Sequence, residues 1–219
     1  QLLPGTVIDM GGGMRVTCIA AGGNLLSGGS VLINTADING QSLSLLVEYN
    51  NFDYLVSGDL TGAGSTSTAQ GPDVETFVGQ LAGDVDAIQL NHHGSTTSSN
   101  QRLLTASKAE IAFAQIADNN TFGHPNREVV NRFLNTPATN GNTFAGTGVP
   151  TAGTTPIFYQ TQASPPTDTR TTVQGVSGAV VGNGGNGTIL LETDGTNTFT
   201  IRSFDDGGVK IPLTTYNVD

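Results

Sequence analysis

The sequence predicts a layered α/β domain, a sheet covered by helices. The middle third alternates short apolar, β-forming runs with segments of helical periodicity. Gly (30 residues), Thr, Asn and Ser are abundant, while hydrophobic residues are only 36% and charged ones 12%. That balance favours short strands, many turns and long surface loops over packed helical bundles. At 219 residues the chain can form one sizeable domain or two small ones.

Residues 14–20 read as the first strand, followed by an irregular Gly-rich loop over 22–39. Residues 43–48 and 52–57 are apolar β-forming runs joined by Tyr49-Asn50-Asn51, whose Asn pair suits a tight turn. A polar Gly/Ser/Thr stretch leads to a helix over 73–81, on the spacing of Val74, Phe77, Val78 and Leu81. A short buried strand at 87–90, a helix at 99–107, a buried strand at 111–116 and a helix at 126–134, preceded by Pro125, complete the alternation. From 136 to 187 the chain is rich in Thr, Gly, Pro and Ala and reads as an insertion with one strand, 156–161. Two last strands, 188–193 and 198–203, flank the hairpin signal Asp194-Gly195. No internal repeat is evident.

Charge narrows the function. The net charge is −10, and Lys108 and Lys210 are the only lysines. Sequence-independent nucleic-acid binding draws on a basic footprint, and the chain has none, which argues against DNA as the obvious substrate. The single cysteine, Cys18, allows neither an intrachain disulfide nor a Cys-based zinc site. No apolar run is long enough to span a membrane, and residues 1–20 lack the features of a signal peptide. The acidic, lysine-poor composition points to an extracellular or periplasmic setting.

All three histidines fall in two Gly-containing segments at expected strand ends, Asn91-His92-His93-Gly94-Ser95 and Phe122-Gly123-His124-Pro125. A third segment, Ser57-Gly58-Asp59-Leu60, ends another strand. Loops at the carboxyl ends of strands in an α/β layer converge into sites. One Asp and three His there make an oxygen/nitrogen ligand set suited to zinc or manganese.

The order of these segments resembles the metallo-β-lactamase-fold domain of ComEC-type competence (DNA-uptake) proteins. Asn39, the run Ser42-Leu43-Ser44-Leu45-Leu46-Val47 and Leu55-Val56-Ser57-Gly58-Asp59-Leu60 are similar to that family's "NxxSLVL…FLLTGDL". Asp86-Ala87-Ile88-Gln89-Leu90-Asn91-His92-His93-Gly94-Ser95 resembles "ADVLKVxHHGS", and Asn120-Thr121-Phe122-Gly123-His124-Pro125 resembles "NxYGHP". Gly187-Thr188-Ile189 and Thr193-Asp194-Gly195 are similar to a closing "GTIxxxTDG". The match covers about residues 35–135 and 187–203.

The resemblance implies the C-terminal half of an αββα sandwich with two divalent metal ions at the sheet edge. It makes Asp59 a carboxylate bridging both ions and His124 the final His ligand. His92 and His93 carry the catalytic roles, one of the two as a ligand and the other as a proton donor or anion clamp, in either assignment. Asn39, Ser95 and Asn120 are the expected substrate contacts, and Asn39 stands where many relatives carry another His. The family's upstream ligand motif, His-x-His-x-Asp-His, is not in this sequence. The expectation is therefore a single partial domain over 1–219, whose partner is the missing N-terminal half of the fold, with one sheet face left open. Two functions follow: a metal-dependent hydrolase of phosphodiesters, acting on nucleic acid or a small phosphoester, or a secreted binding or structural module that keeps the fold without catalysis.

Overall fold

The computed structural model describes residues 2–34, 36–62, 72–117, 120–136, 156–161, 180–181, 188–204 and 210–218. The 136–187 segment therefore lies largely outside the described residues, apart from two strands. Strands β1 (Val7–Gly11), β2 (Met14–Ala21), β3 (Asn24–Leu25), β4 (Leu43–Tyr49) and β5 (Phe52–Val56) build the antiparallel part of a nine-stranded sheet. Strands β6 (Ala87–Gln89), β7 (Ile111–Ala114), β8 (Ile157–Gln160) and β9 (Val180–Val181) continue it from β5, each parallel to the one before. A second, three-stranded antiparallel sheet contains β10 (Ile189–Thr193), β11 (Thr198–Phe204) and β12 (Lys210–Asn217).

The parallel strands require crossovers, and three helices serve in them: α1 (Glu75–Ala82), α2 (Gln101–Ser107) and α3 (Arg127–Leu134). Side chains of one strand alternate between two cores. Ile88, Ala112, Ala114 and Phe158 face the helices, against Val78, Leu103, Leu104, Val130 and Phe133. Ala87, Ile111, Phe113, Ile157 and Tyr159 face the small sheet, against Phe199, Ile201 and Tyr216. Because β6, β7 and β8 are buried on both faces, their sequence reads as continuous apolar runs rather than as alternation. The molecule is thus a layered α/β fold, with helices, a large mixed sheet and a small sheet stacked in that order.

This arrangement corrects one expectation. The second face of the large sheet is covered over β5–β8 by β10–β12 rather than left open. Exposed apolar side chains gather instead at the other end, where β1 is exposed along its length and Val7, Ile8 and Met10 face solvent.

Boundaries shift for local reasons. Helix α2 begins at Gln101 rather than Ser99 because Ser99 is left-handed (φ 49°), and the Asn100 side chain caps the helix by accepting from Leu103 N at 2.9 Å. In α1 Phe77 points outward, although its spacing fits the apolar face, and Gly79 packs instead against Leu103. The hairpin tip at Gly195 sits on the β4–β5 turn, where Asn51 N donates to its carbonyl at 2.8 Å and Tyr49 leaves no room for a Cβ.

Candidate functional site

Strands β5, β6 and β7 are neighbours running the same way, so their carboxyl ends lie side by side. Asp59 follows β5, His92 and His93 follow β6, and the loop after β7 carries Asn120 and His124. An open cleft of about 490 Å³ lies there, lined by Asp59, all three histidines, Gln115 and Phe122 among others. Ring centroids of His92 and His124 are 5.5 Å apart, and each lies 6.4 Å from that of His93.

The convergence is built from backbone. After Leu90 the chain does not continue as a strand. His92, His93 and Gly94 take successive left-handed conformations (φ 51°, 56° and 78°), and His92 N donates to Gly58 O at 3.0 Å. The opposite-face rule for adjacent residues of an extended segment therefore does not apply, and both rings line the same cleft. Left-handed backbone costs a non-Gly residue ~1–3 kcal/mol, so two adjacent ones must be held by their surroundings. Gly94 O accepts from Asn126 N at 2.8 Å, and a Cβ on Gly94 would lie 2.8 Å from Pro125 Cβ. The two histidine segments are thus packed directly on each other.

Each histidine has a distinct environment. His93 Nδ1 donates to Gln115 O at 2.6 Å, which leaves Nε2 facing Asp59 Oδ1 at 3.4 Å. With Nδ1 carrying the proton, Nε2 of a neutral ring presents a lone pair to a carboxylate. That pairing calls for a proton or a cation between them. Two ligands of one tetrahedral zinc, with bonds of ~2.0–2.1 Å, would lie about 3.3 Å apart, and an Nδ1–H···O=C contact is the usual support of a metal-binding imidazole. His92 Nε2 accepts from Asn39 Nδ2 at 3.4 Å, and its Nδ1 is buried without a partner among the described residues. Burial holds the pKa values of His92 and His124 below the ordinary imidazole range, an effect Asp59 only partly offsets. Both rings are accordingly biased to the neutral form that a metal would require.

Donor chemistry therefore fits a cation at the Asp59–His93 pair, yet the set is not complete. Among the described residues no three His, Cys, Asp or Glu side chains are arranged to hold one ion. No Lys or Arg is among the described residues lining the cleft. Arg132, which stands close to the motifs in sequence, is buried and donates to the carbonyls of Ser98 and Ser99.

The three expected substrate contacts are placed differently. Asn39 meets His92 and borders a second hollow of about 420 Å³ with Asn34, Asp37 and Thr97. Asn120 lines the main cleft, but its side chain is engaged with its own loop, donating to His124 O and accepting from Phe122 N. Ser95 is buried, with its hydroxyl against that of Thr97.

Several site residues escaped the sequence reading. Gln115 acts through its carbonyl, which no side-chain motif reports. Phe122 is 80% exposed at the cleft rim and stacked on His124 with centroids 5.9 Å apart, and an aromatic side chain in a loop segment does not by itself mark a site. Glu75 and Asn91, both buried, form the polar foundation of the His92–His93 turn.

No family model matches the chain. Over 98 residues it is 36% identical to the competence protein ComA of Neisseria gonorrhoeae, a stretch covering 44% of this chain and 13% of that protein. The chain thus spans about an eighth of the length of the curated relative it matches.

Proposed function

We propose, starting from that similarity to a competence protein, that the cleft is part of a metal-dependent hydrolase site acting on phosphodiesters. The observation that carries the reading is the Asp59–His93 pair, a carboxylate oxygen and an imidazole nitrogen 3.4 Å apart, with the ring oriented by Gln115 O. Asp59 and His93 would hold a divalent ion, zinc or manganese, and His124 or His92 a second one. Bound cations would supply the positive charge that a phosphate needs and that the lining residues lack.

The chain's own residues do the rest. Gln115 O fixes the tautomer and direction of His93. Asn39 holds His92 at the boundary between the two hollows, where a substrate group bound on either side meets it. Phe122 offers an aromatic face at the rim for an apolar or aromatic substituent. The remaining ligands would come from a further part of the same fold, packed against the exposed apolar edge at β1. The net charge of −10 favours a small phosphodiester over long DNA. The same acidic, lysine-poor composition suits an extracellular or periplasmic location.

The test is hydrolysis of bis(4-nitrophenyl) phosphate by the whole protein with zinc or manganese. Activity should require the metal and fall by two or more orders of magnitude in His93→Ala. No hydrolysis with either metal, or full activity in the variant, would overturn the proposal.

A further inference from the structure

Beneath the histidine turn lies a carboxylate that the proposed chemistry does not use. Glu75, in the first turn of α1, is fully buried. Its Oε1 accepts from Asn91 Nδ2 at 2.7 Å and from Ser99 N at 2.6 Å, and its Oε2 accepts from Asn100 N at 2.7 Å. No cation pairs with it in these bonds, and all three donors belong to the segment that contains the His92–His93 turn. Asn91 precedes the turn, and Ser99 and Asn100 close it at the start of α2. Asn91 N donates to Ser99 Oγ, and Ser98 Oγ donates to Asn91 O, so the two ends are also tied to each other.

The same carboxylate reaches the Asp59 loop. Gly62, three residues after Asp59, approaches so closely that a Cβ there would lie 2.4 Å from Glu75 Oε2, and Gly62 N donates to Thr97 O at 3.0 Å. A carboxyl group withdrawn from water is costly unless its hydrogen bonds are made, and the three that Glu75 accepts are all directed at one loop. From this geometry we infer that Glu75 is the positioning residue of the site: through Asn91 and the Ser99 and Asn100 amides it holds the strained His92–His93 turn against Asp59. The inference builds on the proposed hydrolase reading for its purpose, but its geometry does not depend on that chemistry.

The experiment reads the imidazole NMR signals of His92 and His93 in the metal-free whole protein, comparing Glu75→Gln and Asn91→Ala with the wild type. Above pH 7, where the Glu75 carboxyl is ionised, Glu75→Gln puts an amide N–H₂ in place of Oε2 and against the Asn100 N–H, and should displace both ring signals. Amide signals of the β10–β11 hairpin should stay in place. Asn91→Ala removes one of the three contacts and should produce a smaller displacement of the same signals. A merely structural carboxylate would lower stability and leave the rings of the folded fraction unmoved, and that result would overturn the inference. Should Glu75→Gln fail to fold, Asn91→Ala decides alone: displaced rings support the role and unmoved rings refute it. Because no substrate or metal is present, failure of the hydrolase reading would show in the hydrolysis assay and not here.

Discussion

Gly94 is where the two histidine segments touch, and it tolerates no side chain for two reasons. Its φ of 78° is left-handed, and a Cβ would press on Pro125. Gly94→Ala is expected to lose more than ~1–2 kcal/mol, the backbone cost alone, because the Pro125 loop must also move. Urea denaturation would measure it. The pH dependence of stability follows from Glu75 and two histidines with opposite signs. Burial pushes the Glu75 carboxyl up to about 7 from 4.5, so the folded state favours its protonated form. That contribution is present below pH 4.5 and is lost as the pH rises towards 7. Burial lowers His92 and His124, so their contribution is present above 6.5 and is lost as the pH falls. The two oppose each other between pH 4.5 and 6.5. Glu75→Gln removes the first, and His124 keeps the second, so its stability should rise with pH more steeply than that of the wild type across this window. A parallel pair of curves from denaturation at several pH values would contradict it. The histidines and Asp59 were legible as a candidate site because their residue types and strand-end positions carry chemistry, and the fold brings them to one cleft. The Gln115 carbonyl and the left-handed turn were not, since backbone conformation at non-Gly residues leaves no mark in composition.

At the scale of elements, strands and helices with strong periodicity or a clear apolar run were readable: β2, β4, β5, β6, β7, β8, β10, β11 and the three described helices fall where the sequence predicts them, within two residues at each end. Strand β1 was missed because it is an exposed edge without alternation, and β12 because Pro212 interrupts its pattern. Pro212 is accommodated on an edge strand, opposite the register shift between Ile201 and Ser203. Missing β12 also hid the small sheet's role as a cover. Phe199 is fully buried, stacked on Tyr216 with centroids 5.0 Å apart and tilted against Phe52. Phe199→Ala should therefore cost ~3–5 kcal/mol, the range for emptying a packed aromatic site. A loss below 1 kcal/mol by chemical denaturation would mean that the small sheet is not part of the core.

The whole molecule combines an acidic field with a cleft whose described lining carries carboxylate and imidazole groups and no Lys or Arg. No described helix is long and apolar enough to cross a membrane, and the layered fold places Asp59 and three histidines at one sheet edge. The field makes a claim about substrate: as salt is lowered, the rate on long DNA should fall relative to that on a small phosphodiester, because repulsion is then least screened. A DNA rate that climbs steeply at low salt would point to a basic groove elsewhere in the protein. Calorimetric zinc titration of the whole protein carrying Asp59→Asn tests most directly the proposal that Asp59 and His93 hold a metal ion. Loss of at least one metal equivalent relative to the wild type is expected, whereas unchanged stoichiometry and affinity would contradict that role for Asp59.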